Sequence, residues 1–173
     1  MDFETGYLDT QAQPGLRVPF SLEAEQSVLG AVLLDSSCLP TVAEILPRAE
    51  FFYGETNRQI YETVLEMFTL GQPVDFVTVL EKLHEYEGFD EDTGKVYLAQ
   101  LVQIVPSISN VEAYAKIVRD KFDVRTLMQA ARRILDDASE GAEESSILLD
   151  AAEQRIFDIR QGKSTIGLHP VRE

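Results

Sequence analysis

From Ser109 to Gly141 the chain reads SNVEAYAKIVRDKFDVRTLMQAARRILDDASEG, with no proline and no glycine before the last position. Ser109 and Glu112 fit the S-x-x-E capping box of a helix start. The spacing therefore predicts about 30 residues of unbroken helix, roughly 45 Å at 1.5 Å per residue. Ile117, Val124, Met128, Ala131, Leu135 and Ala138 recur close to a heptad step and predict its buried seam. Gly141 breaks the rod. SSILLDAAEQRIFDIRQG then opens another helix, with Leu148, Ala152, Ile156 and Ile159 as its stripe. A short link between two long helices predicts an antiparallel hairpin over residues 109–161.

Two helices alone hide only their facing stripes. Val118, Phe122, Leu127, Ile134, Leu149 and Phe157 lie beside those stripes and widen them. Leaving them wet forfeits roughly 25 cal/mol per Å² of apolar surface. The expectation is that a second hairpin from an identical chain covers these six residues as a dimer interface. The alternative is that the hairpin folds back on its own globule.

Residues 19–108 predict that globule. PFSLEAEQSVLGAVLLD starts a helix over about Leu22 to Leu34, with Ser21 at the N-cap. Glu23 and Glu25 sit at the positive end of its dipole. Val28, Leu29, Val32 and Leu33 form an apolar face, interrupted by Gly30 at a cost of about 1 kcal/mol relative to alanine. CLPTVAEILP predicts a short second helix between two prolines. A third covers about Asn57 to Leu70, with Ile60, Tyr61, Val64, Leu65 and Phe68 on one face, and Gly71 and Pro73 stop it. Asp75 caps a fourth with Phe76, Val79, Leu80 and Leu83 inward. After the acidic loop EYEGFDEDTGK a fifth carries Tyr97, Leu98, Leu101, Val102 and Val105, and Pro106 ends it. The fold class is thus all-α: a compact helical globule followed by a long antiparallel helical hairpin. Residues 1–18 read as a flexible N-terminal tail, and residues 162–173 as the start of a linker.

Charge and motifs narrow the function. Lys plus Arg number 15 against 30 for Asp plus Glu, a formal charge of −15, which argues against nucleic-acid binding as an independent task. Cys38 is the single cysteine, so no intrachain disulfide or zinc ribbon forms. The N-terminus lacks the basic start and apolar run of a signal peptide. No stretch approaches the roughly 18 apolar residues of a membrane span, so the chain is expected in the cytoplasm, with no membrane partner. His84 and His169 are far apart and outside any H-E-x-x-H pattern. The neighbouring carboxylates Asp136 with Asp137, and Glu143 with Glu144, point about 100° apart on a helix and read as solvated faces.

Gly162, Lys163, Ser164 and Thr165 imitate the end of a phosphate loop, but position 157 is Phe157 where the first glycine belongs. A helix precedes and a linker follows, so the cradle of N–H groups is missing. A nucleotide-binding enzyme using Gly162–Thr165 is kept as one alternative. Arg119, Lys121, Arg125, Arg132 and Arg133 form the basic cluster of the hairpin, and a nucleic-acid-binding helical module is the other. Pairing with nearby acids such as Asp120, Asp123 and Asp136 is the plainer account of that cluster.

SLEAEQSVLGAVLLD, NRQIYETVLEMFTLGQPVDFVTV, YLAQL with VPSISNVEAYAKIVRDK, and LLDAAEQRIFDI, in collinear order, resemble the N-terminal domain of the bacterial replicative DNA helicase of the DnaB type. The family often has two glycines before the Tyr-Leu of the fifth helix, where Lys95 takes the second place here. It often has Asp-Phe-Tyr before the third helix, where Glu50, Phe51, Phe52 and Tyr53 stand.

The resemblance implies a non-catalytic domain. Its hairpins pair into dimers, and three dimers form the collar of a hexamer. The collar docks the helicase-binding domain of primase, and a helicase loader is a further partner. DNA is engaged only through the full-length helicase. ATP and Mg belong to a motor domain absent here, so no cofactor is expected in this chain. Glu23, Tyr97, Met128 and Ile134 are the primase-docking residues the resemblance implies. The stop near HPVRE matches the approach to the family's linker helix and reads as an excised domain. Gly30 is expected to let a neighbouring helix approach the first one closely.

Overall fold

The computed structural model describes residues 16–86, 89–141 and 143–162. The expected tail over residues 1–15 and the linker over 163–173, with Lys163, Ser164, Thr165 and His169, lie outside the described residues. Among the described residues every regular element is helical. In chain order these are α1 (Leu22–Leu34), α2 (Leu39–Ile45), α3 (Glu55–Thr69), α4 (Phe76–Leu83), α5 (Glu91–Ile104), α6 (Val111–Glu140) and α7 (Ser145–Arg160), with single 3₁₀ turns before α2, α3 and α6.

Local chemistry sets the ends. The Ser21 hydroxyl accepts the Ala24 N–H at 3.2 Å, as an N-cap should. Asp75 and Thr78 close a capping box on α4, each side chain accepting the other's backbone N–H. Gly71 at φ +67° ends α3, and Gly141 at φ +61° ends α6. The capping box expected at Ser109 and Glu112 does not form. Asn110 occupies the N-cap of α6 with no side-chain bond. A 3₁₀ turn, Ile108–Asn110, intervenes and moves the helix start to Val111. Glu112 instead pairs with Lys116 at 2.7 Å.

The core is built on α1, which is buried on almost every side. Its Leu29 and Val32 share one buried cluster with Phe51, Phe52, Ile60, Tyr61, Leu83, Leu98 and Leu101. Tyr61 is buried with its hydroxyl on the Leu46 carbonyl at 2.6 Å, so the phenol loses no hydrogen bond on burial. In α3 the inward face is Ile60, Tyr61, Val64 and Met67. Phe68, expected inside, is substantially exposed, because Met67 takes the inward position at the end of that face. α1 and α5 run parallel: Gln26 reaches Tyr97, and one turn on Gly30 meets Leu101.

The first half of α6 belongs to this globule. Val111, Ala115 and Val118 are core residues, and Phe122 packs against them with its ring 4.4 Å from that of Phe51. α7 then returns along α6, tied by an Arg155–Asp137 ion pair at 2.5 Å. No single helix among the described residues is long and apolar enough to cross a membrane.

Candidate docking surface and the junction beneath it

The hairpin seam lies on the opposite side of α6 from the expected one. At 100° per residue, Thr126, Ala130 and Asp137 share the face that meets α7, and Ala130 is buried there. The heptad stripe points away: Ile117, Val124 and Leu135 are exposed, as is Leu127 beside them. α7 presents half-buried Leu148, Ala152, Arg155 and Ile159 to α6, while Ile147, Leu149, Ile156 and Phe157 face out. The physical reason is that periodicity marks a stripe but does not say what covers it. A small residue and an ion pair let α7 seat closely on the other side, and the large apolar residues stay outside.

This corrects two of the six interface residues. Val118 is 2 % exposed inside the globule core, and Phe122 is held against Phe51 and the same core, so neither is available to a second chain. Ile134 is half-buried, and Leu127, Leu149 and Phe157 are exposed, at 46 %, 66 % and 52 %. Of the four residues expected to dock a partner, Glu23 is exposed in the first turn of α1, and Met128 and Ile134 are half-buried on α6. Tyr97 is engaged internally. Its hydroxyl donates to Asn57 Oδ1 at 2.5 Å and accepts from Gln26 Nε2 at 3.2 Å. It supports the surface from below rather than offering a free hydroxyl.

Beneath Glu23 lies a polar junction. Glu25, 1 % exposed, accepts the Tyr53 N–H at 2.9 Å, the Gly54 N–H at 3.0 Å and Asn57 Nδ2 at 3.1 Å. Burial holds its carboxyl above the usual range, and these three hydrogen bonds and the Arg125 charge oppose that rise. Arg125 itself donates to the Pro19 carbonyl at 2.8 Å and the Phe51 carbonyl at 3.0 Å, with its guanidinium over the Tyr53 ring. Burial lowers its pKa, and Glu25 counters this. Arg119 donates to the Ile45 carbonyl at 3.0 Å, pairs with Asp123 at 3.3 Å and lies over Phe51. Two members of the basic cluster therefore fasten α6 to the globule.

The sequence places Glu25 at the dipole end of α1, and the structure makes it a buried hub. The signal was present: Glu25 shares the face of Val28, Leu29 and Val32 by i, i+3, i+4 and i+7 spacing. Arg125 carried no such signal, since its partners are main-chain carbonyls distant in sequence.

The junction predicts a pH response. Glu25, with a raised native pKa, favours the fold when protonated. That contribution is present below its unfolded value of 4.5 and is lost as pH rises through the native value. The helix caps Asp75 and Asp90 have lowered native pKa values, so their contribution holds above 3.8 and is lost as pH falls further. The Glu25 contribution to the melting temperature is expected to grow as pH falls through its native value toward 4.5, and that of the two caps to be lost below 3.8. Scanning calorimetry across that range checks it, and the rise should shrink in Glu25→Gln. A profile in Glu25→Gln that matches the parent's at every pH contradicts the assignment.

A cleft lined by Arg48, Phe51, Arg119, Phe122, Asp123, Thr126, Ile159 and Gly162 has about 10 Å³, room for one water. Gly162, at φ +67°, follows the last turn of α7. No group of metal-ligating side chains is found among the described residues.

Comparison with known proteins fits this arrangement. The family model described as the DnaB-like helicase N terminal domain matches residues 17–120. The replicative DNA helicase DnaB of Geobacillus stearothermophilus is 41 % identical over 145 residues, covering 84 % of this chain and 32 % of that protein. The replicative DNA helicase DnaB of Treponema pallidum is 38 % identical over 154 residues, covering 89 % of this chain and 35 % of that protein. Among solved structures, the N-terminal domain of DnaB helicase from Mycobacterium tuberculosis superposes with a TM-score of 0.75 at 34 % identity, covering 82 % of this chain and 100 % of that one. A DnaB-like replicative helicase described with its interactions with primase shares the fold, with a TM-score of 0.63 at 21 % identity, over 86 % of this chain and 32 % of that one.

Proposed function

Since the chain belongs to the DnaB-like helicase N-terminal domain family, we propose that it is a non-catalytic assembly and docking module of a bacterial replicative helicase, acting in the cytoplasm. The chain spans about a third of the length of the curated relatives it matches. Unwinding, ATP and Mg binding and contact with DNA are assigned here to the rest of such a protein. The observation that carries the proposal is the pair of uncovered apolar strips on the hairpin, Ile117, Val124, Leu127 and Leu135 on α6 and Leu149, Ile156 and Phe157 on α7. A second hairpin laid on these strips would form a dimer, and three dimers a collar.

Sedimentation equilibrium over a wide concentration range tests this half. Reversible self-association is expected, and a stable monomer at high load overturns it. The docking half places the helical domain of primase across Glu23, Met128 and Ile134, with Tyr97 as support; the relative described with primase lends it the partner. Glu23 carries a charge on an exposed first turn, where a basic partner group would meet it. Titration calorimetry should show binding that Glu23→Arg weakens while its melting temperature holds. Equal affinity in the variant removes Glu23 from the surface. A loader is a further candidate partner of the assembled helicase.

A further inference from the structure

α6 has two roles along its length, and the change between them falls at one side chain. Up to Phe122 its inward residues join the globule core. Beyond it no α6 residue does, and residues 126–140 run on for about 22 Å with α7. Arg125 sits at this change. From α6 it reaches two separate parts of the globule. Its guanidinium donates to the Pro19 carbonyl, in the segment before α1, and to the Phe51 carbonyl, in the turn before α3. Tyr53 lies under it, and Phe20 stacks on Tyr53 with ring centroids 4.5 Å apart and planes 9° off parallel. Glu25 is in turn fixed by Tyr53, Gly54 and Asn57, and Asn57 by Tyr97. The planar five-donor fork of arginine suits such multipoint bonding, whereas lysine presents a single ammonium on a flexible stem.

We infer that Arg125 is a positioning residue: through two main-chain carbonyls and the Tyr53 ring it sets the angle at which the hairpin leaves the globule, and with it the separation between Glu23 on α1 and Ile134 on α6. The apolar contacts of Val118 and Phe122 hold the two parts together, but apolar packing is non-directional, and the polar fork supplies the direction. The use of that separation by a docking partner rests on the proposed function; the angle itself does not.

Distance measurement between two nitroxides tests the inference. In a Cys38→Ser background, labels at Glu62→Cys on α3 and Glu140→Cys at the end of α6 report the separation of globule and hairpin tip; both native residues are exposed. Dilution with unlabelled chain removes distances between copies. The parent chain should give one narrow distribution. Arg125→Gln should at least double its width or shift its centre, with helical circular dichroism retained. Arg125→Lys should recover the melting temperature, by keeping a charge beside Glu25, and leave the distribution broad. A purely structural role predicts the reverse pattern: a lowered melting temperature with an unchanged distribution, which overturns the inference. Should Arg125→Gln fail to fold, the lysine variant decides alone, and a distribution as narrow as the parent's refutes it. Loss of partner binding with an unchanged angle would count against the inference and not against docking. An altered angle in a chain that binds no primase would do the opposite.

Discussion

Gly30→Leu is expected to unfold the globule at physiological temperature. A Cβ built at Gly30 would lie 2.1 Å from the Leu101 carbonyl oxygen and 2.3 Å from Val105 Cγ2, with the Leu101 carbonyl carbon at 2.9 Å. Two of these three atoms are backbone, and backbone cannot rotate away. Even one methyl would force α5 off α1 along their parallel contact, and α1 is the helix around which the core closes. Glycine costs about 1 kcal/mol in a helix interior. Alanine would recover that amount and then lose about 1–3 kcal/mol to overpacking. Leucine adds three more heavy atoms in the same space and should cost more than about 4 kcal/mol, a large part of the roughly 5–15 kcal/mol that holds a typical domain together. Thermal and urea denaturation of the two variants check this, with the loss increasing from alanine to leucine. An unchanged melting temperature in Gly30→Leu would remove close packing as the reason for this glycine.

Gly30 also shows what the sequence makes legible. A good helix start followed by a mid-helix glycine implies a close approach, and the approach is there. Helix ends were readable for the same local reason: Ser21, Asp75, Gly71 and Gly141 act on neighbours within a few residues. What could not be read depends on partners far along the chain. The heptad of α6 marked Ile117, Val124 and Leu135 as a seam, yet α7 chose the side carrying Ala130 and Asp137. Val118 and Phe122 flank the heptad stripe, and only the arrival of Phe51 and the core shows that they face inward. Arg119 and Arg125 gave a basic cluster with acids nearby. Arg119 does pair with Asp123 as the spacing suggests, while Arg125 spends its donors on carbonyls more than 70 residues away. Likewise the fit of Ser109 and Glu112 to a capping box was real as a pattern, but an intervening 3₁₀ turn shifts the helix start past it.

The corrected geometry sharpens the association test into an expected contrast between substitutions. Leu135 and Leu149 are 56 % and 66 % exposed in the single chain. Replacing both by aspartate should leave the melting temperature nearly unchanged, because exposed positions away from caps and cores usually shift stability by no more than about 0.5 kcal/mol. In a two-fold dimer each substitution occurs twice across the same patch. Each burial of an unpaired carboxylate removes a leucine transfer of about 1.5–3 kcal/mol and adds a desolvation cost. Over the four sites the loss comes to at least about 6 kcal/mol, more than 10⁴ in dissociation constant at about 1.4 kcal/mol per tenfold, so the double variant should sediment as a monomer where the parent associates. Val118→Asp should behave oppositely, because its position is 2 % exposed in the core of the globule. It should lower the melting temperature sharply and say nothing about the interface. A Leu135→Asp, Leu149→Asp chain that still associates as tightly as the parent would mean that copies meet through some other surface, and the uncovered strips would then lose their standing as the basis of assembly.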